Sequence, residues 1–254
     1  MWNAGMYNQY GQERMQPSLD LVNRIRERNF ETILDVGCGT GMSTAALAAA
    51  WPAAKITGVD RSNEMLVEAQ KFLPEVSFIQ RDCREPITDL GHFELIFSNA
   101  FLQWLPNQEA FMQQSFDMLT KGGVFAVQIP LFNEMPVNQC IKAAEALFPE
   151  QFASLAADNY MVHTGSEYYN MLAKQTSTIS MWVTDYCHEL PNHEAVLDFL
   201  EGAALRAQLD RLNEQDQAVF LQEILKQLPR AYPCQENGQV LFPFRRLFLV
   251  GEKQ

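Results

Sequence analysis

The sequence predicts an α/β protein built on a mostly parallel sheet, and three observations predict it. Short apolar runs at 32–36, 55–59, 76–80, 93–98 and 124–129 recur through the first half. Helical patterns of about ten residues separate them, as βαβ crossovers require. The first run empties into Gly37-Cys38-Gly39-Thr40-Gly41, a glycine-rich turn placed where a strand passes into a helix.

Ser18 to Arg28 has apolar residues at 19, 21, 22 and 25, one face of a helix. Thr32 to Val36 is a buried strand. Ser43 to Ala50 is alanine-rich and stops before Pro52, because the residue preceding proline disfavours the helical region. Lys55 to Val59 is a second strand, and Asn63 to Phe72 a helix closed by Pro74. Val76 to Gln80 and Phe93 to Ser98 are the third and fourth strands. Asn107 to Leu119 is a helix ended by Lys121-Gly122-Gly123, and Val124 to Ile129 a fifth strand ended by Pro130. The pattern then changes. Pro136 to Phe148 is helical, 150–175 mixed, and Thr178 to Tyr186 a strand. Asn192 to Leu200 and Asn213 to Leu228 are amphipathic helices. Gln239 to Gly251 is a closing strand. The expected organisation is one domain over 1–254. Its sheet core spans 18–130, with strands near 178–187 and 239–251 and a helical cap over 136–175 and 192–230.

Lysine and arginine number 19 against 31 aspartates and glutamates in 254 residues, a formal net charge of −12. That argues against nucleic acid, whose phosphates need clustered cations, and against anionic lipid. No run of about 18 apolar residues predicts a membrane span. The cysteines at 38, 83, 140, 187 and 234 form no CxxC pair, and the start lacks a leader pattern. Reduced thiols and a cytoplasmic location are expected. The histidines at 92, 163, 188 and 193 have no metal-like spacing, so no metal is expected.

Asp35-Val36-Gly37-Cys38-Gly39-Thr40-Gly41-Met42 is the most informative segment. A dinucleotide loop, G-x-G-x-x-G/A, would need a small residue at 42, where methionine stands. The acid before the first glycine suits a ligand with an ammonium group. Asp35 would face the amino group of a methionine moiety while backbone N–H groups take its carboxylate. That ligand is S-adenosylmethionine. Asp60, ending the second strand, would accept from a ribose diol or cap the helix near Asn63. Asp82 would accept from an adenine amino group, with the Cys83 N–H on a ring nitrogen, or be a solvated loop acid. Asn99 ends the fourth strand at the carboxyl edge, where open α/β sheets bind ligands. It would sit near the sulfonium or serve the turn.

Together these residues resemble the class I S-adenosylmethionine-dependent methyltransferases. Tyr10-Gly11-Gln12-Glu13-Arg14 looks like their pre-sheet segment. The segments 51–62, 99–106 and 123–130 are similar to the trans-aconitate methyltransferase subgroup. So are Trp182-Val183-Thr184, Ala231-Tyr232-Pro233, Glu236-Asn237-Gly238-Gln239 and Arg246-Leu247-Phe248-Leu249-Val250. The resemblance implies a Rossmann-like seven-stranded sheet, mostly parallel with the last strand antiparallel, plus the helical cap. It implies S-adenosyl-L-methionine as cofactor, with S-adenosyl-L-homocysteine as product. Cofactor contacts are implied at Tyr10, Arg14, Asp35, Gly37, Cys38, Gly39, Gly41, Asp60, Arg61, Met65, Asp82, Cys83, Asn99, Ala100 and Trp104. Core packing is an equal alternative for Trp104. The implied acceptor is a small molecule, a small (poly)carboxylic acid such as trans-aconitate converted to a methyl ester. Arg206 and Arg246 would bind it. Trp182 and Tyr232 either line the substrate site or pack in the cap.

The chain departs from the subgroup where the substrate would be read. Pro130-Leu131-Phe132-Asn133 stands where an acid–asparagine pair usually follows the proline, and Arg245 takes the place of a proline before Arg246. Another small O, N or C nucleophile therefore stays open as acceptor, as does a non-catalytic cofactor-binding relative. Arginines at 14, 206, 245 and 246 are the candidates for holding carboxylates. No general base is assigned, because a carboxylate with pKa near 4 is already ionised at neutral pH and transfer relies on proximity. His163 and His188 become candidates only for a hydroxyl or amine acceptor. Monomer and homodimer are both compatible with the sequence.

Overall fold

The computed structural model describes residues 11–153, 161–202 and 204–254, with the side chains of 11–14 and 206 outside the description. The chain runs α1 (Gly11–Ile25), β1 (Thr32–Val36), α2 (Met42–Ala50), β2 (Lys55–Asp60), α3 (Asn63–Phe72), β3 (Ser77–Gln80), β4 (Phe93–Asn99), α4 (Gln108–Met118) and β5 (Leu119–Pro130). It continues through α5 (Val137–Glu145), α6 (Pro149–Phe152), α7 (Gly165–Ala173), β6 (Ile179–Leu190), α8 (His193–Glu201), α9 (Arg206–Leu209), α10 (Glu214–Ala231) and β7 (Val240–Glu252). The strands form one sheet in the order β3-β2-β1-β4-β5-β7-β6. Strands β1 to β5 pair in parallel, and β7 runs antiparallel to β5. This is the expected α/β architecture. The order reverses between β1 and β4, the switch point at which such sheets bind ligands.

Side-chain oxygens start several helices by accepting exposed first-turn N–H groups. Ser62 takes Met65 N–H, Asn107 takes Ala110 N–H, Asn192 takes Ala195 N–H and Asn213 takes Asp216 N–H. Thr164 and Glu167 form a reciprocal capping box on α7.

Two expectations are corrected. The Lys121-Gly122-Gly123 stretch does not end the preceding helix; α4 closes at Met118 and β5 begins at Leu119. Phe93 pairs with Leu119 and Leu95 with Val124, so β5 advances five residues while β4 advances two. The extra length is absorbed at the chain's end, where Gly122 N–H donates to Lys253 O at 2.8 Å and Lys253 N–H to Gly123 O at 2.9 Å. The second correction concerns the cap boundary. The chain packs as two compact units. One holds the described residues of Met15–Pro130, Asn159–Val183 and Arg246–Gln254; the other holds those of Met1–Arg14, Leu131–Asp158 and Thr184–Arg245. Helix α7, expected in the cap, belongs to the sheet unit. A Cβ on Gly251 would come within 2.9 Å of both Leu172 and Phe116, so α7 is pressed onto the sheet there.

Each unit has its own core. In the sheet unit Ile33, Leu34, Leu95, Phe97, Val124 and Phe125 are buried, all on β1, β4 and β5. In the other unit Val137, Ile141, Phe220, Ile224, Leu228 and Phe242 pack together. The face expected on α10, Phe220-Ile224-Leu228, is the one buried. Among the described residues no helix is long and apolar enough to cross a membrane.

Candidate active site

The loop after β1 hooks onto β2. Gly37 and Cys38 N–H groups donate to Val59 O at 2.8 and 3.1 Å, and Gly41 N–H donates to Cys38 O at 2.9 Å. Gly39 N–H donates to Asp60 Oδ2 at 3.1 Å. These four amides are therefore occupied within the protein, which leaves the helix that follows to supply N–H groups for a carboxylate. Gly41 caps α2 without a side-chain hydrogen bond, so the first-turn amides of that helix, with their positive partial charge, are what an anion would meet.

The glycines divide by role. Gly37 has φ +73°, and a Cβ there would lie 2.4 Å from the Phe101 ring, so packing demands it. Gly39 has φ +53°, but a Cβ on it would meet nothing nearer than Met65 Sδ at 3.6 Å. Its outer side is open to close approach.

Asp35 is fully buried at 0% exposure. Its Oδ2 accepts from Ser43 Oγ at 2.8 Å and Thr44 Oγ1 at 2.6 Å, which staples β1 to the start of α2. Its Oδ1 has no partner among the described residues. Burial raises the carboxyl from 3.8 to about 6; the Thr44 and Ser43 hydroxyls oppose this and Asp60 adds to it. Asp60 Oδ1 accepts Ser62 N–H at 2.9 Å. Each of its oxygens thus holds one backbone N–H, and a carboxylate has about four acceptor positions, so two stay open. The helix cap beyond it is Ser62 rather than Asp60.

The ends of β3 and β4 complete this edge. Asp82 is clasped by Arg84, whose Nε reaches both oxygens at 2.9 and 3.0 Å, holding the carboxyl down at about 2. An adenine amino group would have to share the carboxylate with that guanidinium. Cys83 and Cys38 are buried, their thiols pushed up by burial, Cys83 to about 12. Both remain protonated and apolar at neutral pH. Arg61 is exposed, its carbonyl accepting from Gln80 Nε2 at 3.0 Å. Ala100 has φ 54°. It is the one non-glycine among the described residues in the left-handed region, and Gln128 O and Gln103 Nε2 pin it at 3.0 and 2.6 Å. Such a strained turn at a strand end is typical of ligand sites. Asn99 Oδ1, just before it, is buried without a donor. Trp104 is 36% exposed and is not among the buried core side chains.

Comparison with known proteins agrees with this geometry. Residues 33–123 match the family described as a methyltransferase domain. The chain is 37% identical over 256 residues to trans-aconitate 2-methyltransferase of Escherichia coli, covering 99% of this chain and 98% of that one. The Shigella flexneri protein of that name is also 37% identical, over 254 residues, with the same coverages. The chain belongs to the trans-aconitate 2-methyltransferase family. It is an S-adenosylmethionine-dependent methyltransferase. Its fold matches the YcgJ protein of Bacillus subtilis, with TM-score 0.64, 18% identity and coverage of 94% and 99% of the two chains. It also matches a plantazolicin methyltransferase in complex with SAH, with TM-score 0.52, 15% identity and coverage of 99% and 87%.

The residues present in this methyltransferase fit the cofactor's chemistry. The unpartnered Asp35 Oδ1 and the neighbouring Asp60 make the glycine loop electronegative, which favours a cation. Gly39 leaves open the side from which a ligand would approach. Tyr10 lies outside the described residues, as does the Arg14 side chain.

On the substrate side the predicted residues separate. Arg246 is buried at 7% exposure and its Nη1 lies 3.5 Å from Gln128 Oε1. Arg245, on the other face of β7, lies 3.5 Å from Asp185 and 3.8 Å from Glu134, a loose ion pair. The Arg206 side chain is outside the described residues. For Tyr232 the hydroxyl accepts Val137 N–H at 3.0 Å, serving the first turn of α5, in line with the packing alternative. Trp182 does not belong to the cap unit. It stacks on Phe248 at 4.8 Å with Arg24 5.3 Å over its ring, all in the sheet unit. His163 lies in the sheet unit and His188 packs on Phe199 in the other. Sequence reasoning missed Gln128 and the Ser43–Thr44 pair. Gln128 had a visible signal, being polar inside the wholly buried run 124–130.

Proposed function

We propose that this methyltransferase converts a small polycarboxylic acid, of the trans-aconitate type that its relatives are named for, into a methyl ester. The observation that carries this is Arg246, a buried guanidinium hydrogen-bonded to Gln128 at the carboxyl end of β5. A guanidinium fork matches a carboxylate in shape and charge.

S-adenosylmethionine, when bound, supplies an electrophilic sulfonium methyl. Asp35, Asp60 and Gly39 are the residues that would hold it, through charge, ribose acceptance and close backbone approach. Arg246 anchors one carboxylate of the acceptor so that another is held close and in line. Proximity of this kind is worth up to about 7–11 kcal/mol in well-oriented reactions. The reacting carboxylate needs no base, since it is ionised at neutral pH.

The test is a methyl-donor assay on a panel of mono-, di- and tricarboxylic acids, trans-aconitate included, with products identified by mass. Turnover restricted to acids with two or more carboxylates is expected, and Arg246→Met should raise KM more than tenfold. Equal turnover of monocarboxylates, or of neutral acceptors, would overturn the assignment.

A further inference from the structure

Four consecutive strands of the sheet, β1, β4, β5 and β7, bring Asp35, Asn99, Gln128 and Arg246 into one row. Asp35 pairs with Phe97, Asn99 with Gln128, and Pro130 with Arg246. Paired residues and residues two apart share a face, so all four side chains start from the same face near the carboxyl edge. The row runs diagonally: it crosses about 14 Å at the usual strand spacing of about 4.8 Å and advances four residues, about 13 Å, toward the carboxyl edge, so its ends lie about 20 Å apart. Its chemistry changes along its length. The Asp35 end offers acceptors: Asp35 Oδ1 and Asn99 Oδ1 are both buried without a donor. The Arg246 end offers donors: the guanidinium, and Gln128 Nε2, which is buried without an acceptor.

Gln128 is fully buried. Its amide orientation follows from electrostatics: Oε1 faces Arg246 Nη1 at 3.5 Å, whereas the reverse would set an NH2 against a guanidinium. With Oε1 so used, Nε2 is left pointing elsewhere with two unmatched N–H groups. Asn99 Oδ1 does not satisfy them, although the residues are direct cross-strand partners. A buried donor in this state needs an acceptor from outside the chain. A carboxylate provides one oxygen for Nε2 and one for the guanidinium.

We infer that Gln128 is a specificity-determining residue of this methyltransferase: it orients Arg246 through Oε1 and donates Nε2–H to an acceptor carboxylate. The row thus separates a cation-seeking end, suited to the methyl donor, from an anion-seeking end, suited to the acid. The inference deepens the proposed function and rests on it.

Gln128→Glu and the apolar, similar-length Gln128→Met are assayed with trans-aconitate at saturating S-adenosylmethionine, and S-adenosylmethionine affinity is measured by calorimetry in each. In Gln128→Glu the new carboxylate pairs with Arg246 and repels the acid, so KM should rise at least tenfold. Gln128→Met should also raise KM, through loss of the donor. In both, kcat should stay within about threefold and the S-adenosylmethionine dissociation constant within twofold. As a readout free of folding effects, the side-chain amide resonances of Gln128 in the unmodified protein should shift on adding trans-aconitate. Unchanged KM in a folded variant, or an amide signal indifferent to the acid that the enzyme turns over, would overturn the role of Gln128 alone. An equal loss of S-adenosylmethionine affinity would instead assign Gln128 to the cofactor and overturn it too. Failure of the unmodified protein to turn over any carboxylic acid, with S-adenosylmethionine binding intact, overturns the proposed function and this inference together.

Discussion

Replacing Asp35 by asparagine isolates the cost of a buried charge. The carboxyl is fully buried, keeps two hydroxyl donors on one oxygen and none on the other, and titrates at about 6 instead of 3.8. A native state that binds the proton more tightly than the unfolded chain loses stability as pH rises. The contribution is fully present below 3.8 and is lost as pH rises through about 6. Integrated from pH 4.5 to 7.5, the loss is about 2 kcal/mol, and over the whole titration about 3 kcal/mol. Asparagine does not titrate. Whatever constant penalty its amide adds, the stability of Asp35→Asn relative to the parent should improve by about 2 kcal/mol across that range. Urea unfolding followed by circular dichroism at both pH values, without cofactor, measures it. At an m of about 3 kcal/mol/M the midpoint difference should move by about 0.7 M. A difference independent of pH would refute the reasoning, since it would mean that Asp35 is not the group held protonated. The same variant should bind S-adenosylmethionine at least tenfold more weakly.

Asp60→Ala removes both the Gly39 anchor and the open acceptor positions; calorimetry should show S-adenosylmethionine binding weakened by about 1–3 kcal/mol, and an unchanged dissociation constant would leave Asp60 a purely local staple. Gly37→Ala meets the Phe101 ring at 2.4 Å and should lower stability by more than the about 1–2 kcal/mol of left-handed strain alone, whereas Gly39→Ala has room and should fold with little more than that strain but lose cofactor affinity. Equal melting temperatures for the two would contradict this division. Tyr232→Phe strands the buried Val137 N–H and should cost about 1–3 kcal/mol of stability without changing acceptor KM; a raised KM in a protein of normal stability would return Tyr232 to the substrate site.

Much of the cofactor half was legible because its signals are local. The glycine loop, the acids ending β1 and β2, and the alternation of strands and helices all lie within short windows, and each appears where expected. Boundaries slipped where tertiary pairing overrode local cues. Lys121-Gly122-Gly123 has the composition of a helix stop, yet the chain's last residues pair with it and extend β5 backwards. Pro17 lies inside α1, which begins at Gly11 rather than Ser18. Partners distant in sequence were harder still. Arg84 on Asp82 is local but follows no motif, and Gln128 with Arg246 joins residues 118 apart.

By itself the sequence determined the class of fold, the methyl donor and the electronegative character of the loop that would hold it. These follow from residue types at fixed short spacings, and backbone geometry alone turns such spacings into a site. Tertiary structure decided how the side chains are employed. It committed the amides of Gly37, Cys38 and Gly39 to β2, gave Asp35 two hydroxyls and left its other oxygen bare, and set the Tyr232 hydroxyl on the start of a helix. Of two adjacent arginines it buried one against Gln128 and turned the other toward acids. The physical reason is that a strand alternates its faces with period two. Which face is buried, and which partner waits there, depends on the register of a strand more than a hundred residues away.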